Sequence, residues 1–396
     1  MNKNSKIQYL VGNKIVSNSF TEPYNDKVIN FLSDLAVSLN SNSNTKNYPD
    51  IKALAFFCRK KNLLNLKKKF ASEDLRFGLG LIYHITPSNI PTNFAYSLIF
   101  GLLTGNSNVV KIPTKSFIQI NLICSSLKKI LMKKNYSFLR KMISIIRYKQ
   151  NDDITKKLSM LCDARIIWGG DKSISEIRKF PLKAKSIDLP FADRYSATIL
   201  NSLEILKLKE FELNRLVENF YNDTYSVDQN ACSSPHIILW IGKKSKRAQE
   251  KFWNKLNIVI KKKYSSPSIA SVDSYLKLCE NFLNLNEIKN YKIYNRSMYV
   301  VKLKSISQAI TAHKGKWGFF YEYDATNIEE TKKVVNRKLQ TLTYYGFTKS
   351  FLKKFISSNK PSGIDRIVPI GQALDISLIW DGYDINKILS RTVEIR

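Results

Sequence analysis

Residues 79–110 contain no charged side chain, in a chain where 24% of residues are charged. A stretch so bare of charge must be buried or line a site. It is not a membrane span. Its longest mainly apolar piece, 94–103, is about half the ~20 residues a spanning helix needs, and Pro87 and Pro91 interrupt what precedes it. The local pattern reads as a buried strand over 79–83 and a loop over 86–91, where two prolines forbid a regular helix. A helix over 92–104 follows, ending at Gly105, a residue suited to a left-handed cap. A second strand covers 108–112.

The alternation continues downstream. Ile120, Ile123, Leu127, Ile130 and Leu131 share one helical face with Cys124, which reads as core. Segments 143–147 and 164–168 read as strands, the second running into Gly169-Gly170-Asp171 with a helix beginning near Ser173. Further strands are expected at 195–200 and 236–241, with strand-like pieces at 291–303 and 317–323. Residues 51–70 and 203–221 each carry the spacing of a long helix. Strand–helix alternation of this kind implies a mostly parallel sheet covered on both faces. The 396 residues suffice for two or three domains.

Five cysteines (Cys58, Cys124, Cys162, Cys232, Cys279) are scattered without a CxxC pair, which argues for a reducing, cytoplasmic setting and against a disulfide framework. Three histidines at no ligand spacing predict no metal. The first residues lead into no apolar h-region, so no signal peptide is expected. The formal charge of +32 raises nucleic acid, an anionic membrane or acidic partners as candidates. The lysines are spread over the whole chain, though, and no nucleic-acid motif accompanies them. Together with abundant Asn, Ile and Ser they have the bias of AT-rich coding. What remains for the charge is attraction of an anionic, phosphate-bearing substrate or an acidic carrier protein.

One segment escapes the lysines. From Tyr221 to Trp240 there is no Lys or Arg, and within it lies Asp228-Gln229-Asn230-Ala231-Cys232-Ser233-Ser234-Pro235. This places one cysteine in a small, polar turn between a helix and a strand. A thiol at such a tip is reachable by a substrate carbonyl. On the segment alone, a buried structural cysteine is the commoner fate of a lone Cys.

Several motifs, in order, carry a family resemblance. Ile85-Thr86-Pro87-Ser88-Asn89-Ile90-Pro91 and Gly105-Asn106-Ser107-Asn108-Val109-Val110-Lys111-Ile112-Pro113 resemble the Pro-x-Asn-x-Pro loop and Gly-Asn-x-Val-x-Lys-Pro strand of the aldehyde dehydrogenase superfamily. Gln229-x-x-Cys232 is similar to its nucleophile segment. Trp168-Gly169-Gly170-Asp171, Arg194-Tyr195-Ser196, residues 228–235, 339–346 and 366–371, and Trp380-Asp381-Gly382-Tyr383-Asp384 look like the acyl-CoA reductase (LuxC-type) branch. The resemblance runs from about residue 78 onward, and residues 1–77 carry little of it.

The resemblance implies an α/β protein of the aldehyde dehydrogenase-like fold. A Rossmann-type nucleotide-binding domain with an N-terminal lead would occupy 1–200, an α/β catalytic domain 201–346, and a returning segment 347–396. It implies reduction of an acyl thioester, as acyl-CoA or on an acyl carrier, to the aldehyde with NADPH. Cys232 would form the acyl-enzyme, and Asn89 would offer its side-chain N–H to the oxyanion beside the backbone N–H of Cys232. Read locally, Asn89 is simply a good turn residue between two prolines. Thr86, Pro87, Ser88, Lys111, Gly169, Gly170 and Asp171 are the implied cofactor-binding residues. Lys111 suits a ribose or a 2′-phosphate. Gly169, Gly170 and Asp171 open a helix whose amides suit a pyrophosphate, although an ordinary strand-to-helix turn looks the same.

Dehydrogenases that hydrolyse their acyl-enzyme carry a water-activating Glu where this chain has Phe191-Ala192-Asp193-Arg194-Tyr195-Ser196, with Asp193 displaced by two positions. A missing base fits reduction better than aldehyde oxidation, which stands as the rival activity. His236 and His84 are expected to pack rather than act. The implied partners are the acyl donor, an acyl-transferring protein and further copies of the chain, with no transmembrane segment. A basic binding protein for nucleic acid or an acidic carrier is the rival from another class. It leaves the uncharged run and the thiol turn without a purpose.

Overall fold

The computed structural model describes residues 7–12, 16, 18–70 and 75–396. They form two compact units, one running up to Asp193 and taking in Ile376–Arg396, the other Arg194–Asp375.

The first unit is built on a six-stranded sheet: β1 (Gln8–Val11), β2 (Leu81–Ile85), β3 (Ser107–Lys111), β4 (Ile143–Arg147), β5 (Ala164–Trp168) and β6 (Ile187–Phe191). Their order is β1-β4-β3-β2-β5-β6, parallel except for β1, which pairs antiparallel at the edge. The strand order reverses at β2, which is the doubly wound, Rossmann-type arrangement. The uncharged run supplies β2, β3 and the helix Asn93–Leu103. Every residue of that helix from Phe94 to Leu103 is buried. These residues meet almost no water, so no charge is tolerated among them.

Several polar residues of the run are paired instead. Asn106 Oδ1 accepts from the amides of Leu79 (2.6 Å) and Gly80 (3.0 Å), and its Nδ2 donates to Leu389 O at 2.8 Å. His84 lies between Ser97 Oγ (2.7 Å) and Asn108 Oδ1 (2.9 Å). Residues 376–396 complete the unit. Tyr24 Oη donates to Asn386 Oδ1 at 2.8 Å, and Leu75–Gly78 forms an antiparallel ribbon with Ser390–Val393. Arg165 on β5 is buried and held by Asp188 on β6 through bonds of 3.0 and 2.9 Å.

The second unit has a seven-stranded sheet: β7 (Tyr195–Asn201), β8 (Pro235–Ile241), β9 (Ile288–Asn295), β10 (Met298–Leu303), β11 (Phe319–Ala325), β12 (Leu339–Tyr345) and β13 (Arg366–Pro369). The order is β9-β10-β11-β8-β7-β12-β13, parallel apart from the β9–β10 hairpin. Residues alternate along β8. Ile237, Leu239 and Ile241 enter one core, Ile238 and Trp240 the other. Both faces are therefore covered, as a parallel sheet requires.

Three expected elements divide. The stretch 203–221 is two helices, Ser202–Lys207 and Glu210–Thr224, because Glu212 reaches back to the Lys209 amide (2.9 Å) and starts a new helix there. The stretch 51–70 breaks at Cys58–Arg59, where Asn62 caps Phe57 O at 2.7 Å. The stretch 291–303 is a hairpin, turned where Asn295 Oδ1 accepts from the Ser297 amide at 2.7 Å.

Candidate active site

In the first unit, registers Ile85↔Lys111 and Ile85↔Ile167 bring the C-terminal ends of β2, β3 and β5 level. Thr86, Pro87 and Ser88 leave β2, Lys111 ends β3, and Gly169, Gly170 and Asp171 follow β5. All seven candidate cofactor residues thus lie at one sheet edge, at the point where the strand order reverses. Open α/β sheets bind their ligands at this place.

Thr86 is tied to Lys111 O by its amide (3.2 Å) and hydroxyl (2.9 Å). The Lys111 ammonium lies over the Tyr148 ring, 4.9 Å from its centroid, and burial lowers its pKa. A neighbouring anion would raise it again. Gly170 caps the helix Asp171–Arg178 with no side-chain bond to the first turn. A Cβ placed on Gly170 meets nothing within 4 Å, so a phosphate can approach the first-turn amides. Asp171 Oδ1 accepts from the Asp193 amide at 3.2 Å, which ties the helix start to the chain beyond β6. Beside it, Trp168 stacks on Phe191 at 3.9 Å. These residues fit a dinucleotide. Asn89 is exposed in the loop after β2.

In the second unit Cys232 lies in the turn that enters β8, at the N-terminal edge of the sheet. Cys58, Cys124 and Cys162 are buried, and burial pushes the Cys124 and Cys162 thiols up to about 12. Cys279 is exposed on a helix, and Cys232 is half-buried.

The turn is held from several sides. Asp228 and Gln229 are both left-handed (φ 53° and 58°), a conformation Gln rarely adopts. The buried Gln229 amide makes four bonds. Its Nε2 donates to Pro235 O (3.0 Å) and Phe319 O (3.1 Å), and its Oε1 accepts from the amides of Gly318 (3.1 Å) and Phe319 (3.0 Å). Tyr264 Oη donates to Asp228 Oδ1 at 2.7 Å, and the Trp317 amide donates to Asp228 O at 3.2 Å. Ser196 Oγ donates to Cys232 O at 2.7 Å, and Ser234 Oγ to Asp223 O at 2.7 Å. The Asp223 carboxylate in turn accepts from the amides of Gly371 (2.6 Å) and Ala373 (2.9 Å), and burial raises its pKa to about 7.

Sequence reasoning did not single out Ser196, Asp223, Gln229 as a brace, or Trp317. Their only sequence signal is that they are polar or aromatic residues in or near the recognised motifs.

His236 and His84 pack, as expected. Burial holds His84 at about 4; burial and the Lys314 charge hold His236 at about 3. An unfolded imidazole takes its proton near 6.5. As pH falls from about 6.5 to 4, the unfolded chain therefore binds more protons than the folded one, and stability drops. His84→Gln should flatten the fall in unfolding free energy, read from urea titrations, by about 1.4 kcal/mol per pH unit over this window. An unchanged slope would remove His84 from the account.

Known folds and sequences agree with this architecture. The chain superposes on aldehyde dehydrogenase 21 from Physcomitrella patens with a TM-score of 0.66 at 10% identity, covering 99% of this chain and 95% of that one. It superposes on 1-pyrroline-5-carboxylate dehydrogenase from Thermus thermophilus with a TM-score of 0.64 at 12% identity, covering 94% and 81%. The fold is that of the aldehyde dehydrogenases. Residues 15–266 match the acyl-CoA reductase (LuxC) family, and the chain belongs to it. It is 24% identical over 328 residues to the long-chain acyl-protein thioester reductase of Vibrio harveyi. That match takes in 80% of this chain and 64% of the relative, so it spans just under two thirds of that protein. Among the described residues no helix is long and apolar enough to cross a membrane.

Proposed function

We propose that this chain reduces an acyl thioester, carried on CoA or on a protein, to the aldehyde at the expense of NADPH. Cys232 as thiolate attacks the acyl carbonyl. A carbon–sulfur bond forms to Cys232, and the carrier leaves as its thiol. When bound, reduced nicotinamide supplies the two electrons and the hydrogen that the acyl carbon then gains. The Cys232 bond breaks, the aldehyde departs and the thiolate is regenerated.

The observation that carries this reading is the braced turn: of five cysteines, Cys232 alone combines partial access with a backbone fixed by Gln229, Ser196 and Ser234. A fixed backbone holds the Cys232 amide in one place, and the family resemblance assigns oxyanion donation to it and to Asn89. The first unit takes the nucleotide. Lys111 meets a ribose or 2′-phosphate, Gly169 and Gly170 face the pyrophosphate, and Thr86, Pro87, Ser88 and Asp171 border it. The name of the Vibrio harveyi relative supports an acyl-protein as donor, and hence an acyl-transferring partner.

The test is intact-mass measurement after incubation with a panel of acyl-CoAs, followed by product analysis with NADPH and with NADH. Mass gain on Cys232 and release of aldehyde are expected. Release of acid instead would establish the oxidising rival, and no acylation at any chain length would remove the reading. Asn89→Ala should lower kcat by about 10²–10³, with acyl-donor KM little changed. A KM effect alone would make Asn89 a binding residue.

A further inference from the structure

The sheet of the second unit gathers cations at the edge where Cys232 lies. Strands β7, β8, β11 and β12 run parallel and start there, so the segments entering β7, β11 and β12 meet around the turn into β8. Those segments bring Arg194, Lys314, Lys316, Arg337 and Lys338. Hydrogen bonds tie them to one another and to the cysteine turn. The amide of the Lys316–Trp317 peptide donates to Asp228 O at 3.2 Å, four residues before Cys232. The Lys314 ammonium donates to Arg194 O, and Arg194 Nε donates to Lys338 O at 3.1 Å. The Tyr195 amide donates to the same carbonyl at 3.0 Å, and Ser196, the next residue, holds Cys232 O. Asp365 pairs with Arg194, and Asp228 accepts from Tyr264. Among the described residues neither carboxylate pairs with Lys316 or Arg337, and both cations are exposed, as is Lys338. The opposite edge differs: there Glu204, Glu329, Glu330 and Asp375 stand among the lysines.

Cations beside a reactive thiol suit a thioester whose far end is an anion. CoA and carrier proteins present an acyl group on the same 4′-phosphopantetheine arm. From sulfur to phosphorus that arm counts about thirteen bonds, the length of roughly four residues of extended chain, so it spans up to ~16 Å. Strand β11 adjoins β8 and β12 lies two strands away on the other side, so their entering turns are about 5 and 10 Å from the turn of Cys232. Both turns lie within the arm's span. The Lys314 side chain already crosses from the entry of β11 to that of β7, so long side chains bridge the gap between the turns. We propose that this edge binds the phosphate of a 4′-phosphopantetheine arm, which Lys316 and Arg337 meet from either side while the thioester reaches Cys232. The Arg337 guanidinium offers two parallel donors to phosphate oxygens, and the Lys316 ammonium adds a compact charge. Arg194, Lys314 and Lys338 add to the positive field over the same edge. This subsite presupposes the thioester chemistry proposed above and adds the part of the donor that the chain grips.

The test compares an acyl-4′-phosphopantetheine with the matching acyl-pantetheine, following acylation of Cys232 by intact mass at low donor concentration. The phosphorylated donor should acylate about tenfold faster, and the gain should shrink in about 0.5 M salt. In Lys316→Gln/Arg337→Gln, two exposed positions, the two donors should converge while the circular dichroism spectrum is unchanged. Equal rates for the two donors in the parent protein overturn the subsite and leave the thioester chemistry standing. A tenfold difference that survives in the double variant overturns it as well. No acylation by either donor overturns both. Acyl-CoA and an acyl-carrier protein are run alongside, and the faster of the two identifies the source of the arm.

Discussion

Cys232→Ala is expected to abolish acyl capture and aldehyde formation together, with activity down by at least about 10³-fold. The size follows from the role. Without the sulfur no acyl-enzyme forms, and no second group in the turn replaces it. The substitution removes one half-buried atom, and the braces of the turn act on backbone and on neighbouring side chains. The folded chain and its nucleotide affinity should therefore survive. The variant is best read by mass spectrometry after exposure to acyl-CoA, with NADPH binding followed by fluorescence as the control. A Cys232→Ala protein that still gains acyl mass at another residue would move the nucleophile and with it the mechanism.

Gln229→Met unfolds the chain at markedly lower urea, with a loss of about 4 kcal/mol or more. Methionine matches glutamine in length and fills its space, so little of the loss comes from a cavity. It comes from leaving the amides of Gly318 and Phe319 and the carbonyls of Pro235 and Phe319 without this partner inside the unit. A buried backbone group without a partner costs about 1–3 kcal/mol. The left-handed Asp228 and Gln229 should relax at the same time, so the acylation rate of the folded fraction should fall as well. A loss below about 1 kcal/mol would mean that other bonds hold the turn and that Gln229 is incidental.

Much of the scaffold was legible from local pattern. The uncharged run could only be interior, and 143–147 and 164–168 read as the strands they are, because short β-branched runs between turn signals leave little choice. The cysteine turn was legible from its small residues and its freedom from lysine. The braces were not. Gln229 finds Phe319 ninety residues further on, and Ser196 reaches Cys232 from another strand. Nothing in the neighbourhood of either residue announces the pairing. Helix breaks at Lys209 and Cys58 were hidden for a different reason: the apolar spacing continues across each, and a single reaching side chain, Glu212 or Asn62, makes the interruption.

The return of residues 376–396 to the first unit has a consequence for biogenesis. Asn106, Tyr24 and the Leu75–Gly78 ribbon all find partners in that final stretch, which is made after the whole of Arg194–Asp375. During synthesis the early strands must wait, with their interior surfaces uncovered, while the intervening unit emerges from the ribosome. A nascent chain of this kind exposes aggregation-prone surface while it waits, and the first unit closes only once residues 376–396 have been made.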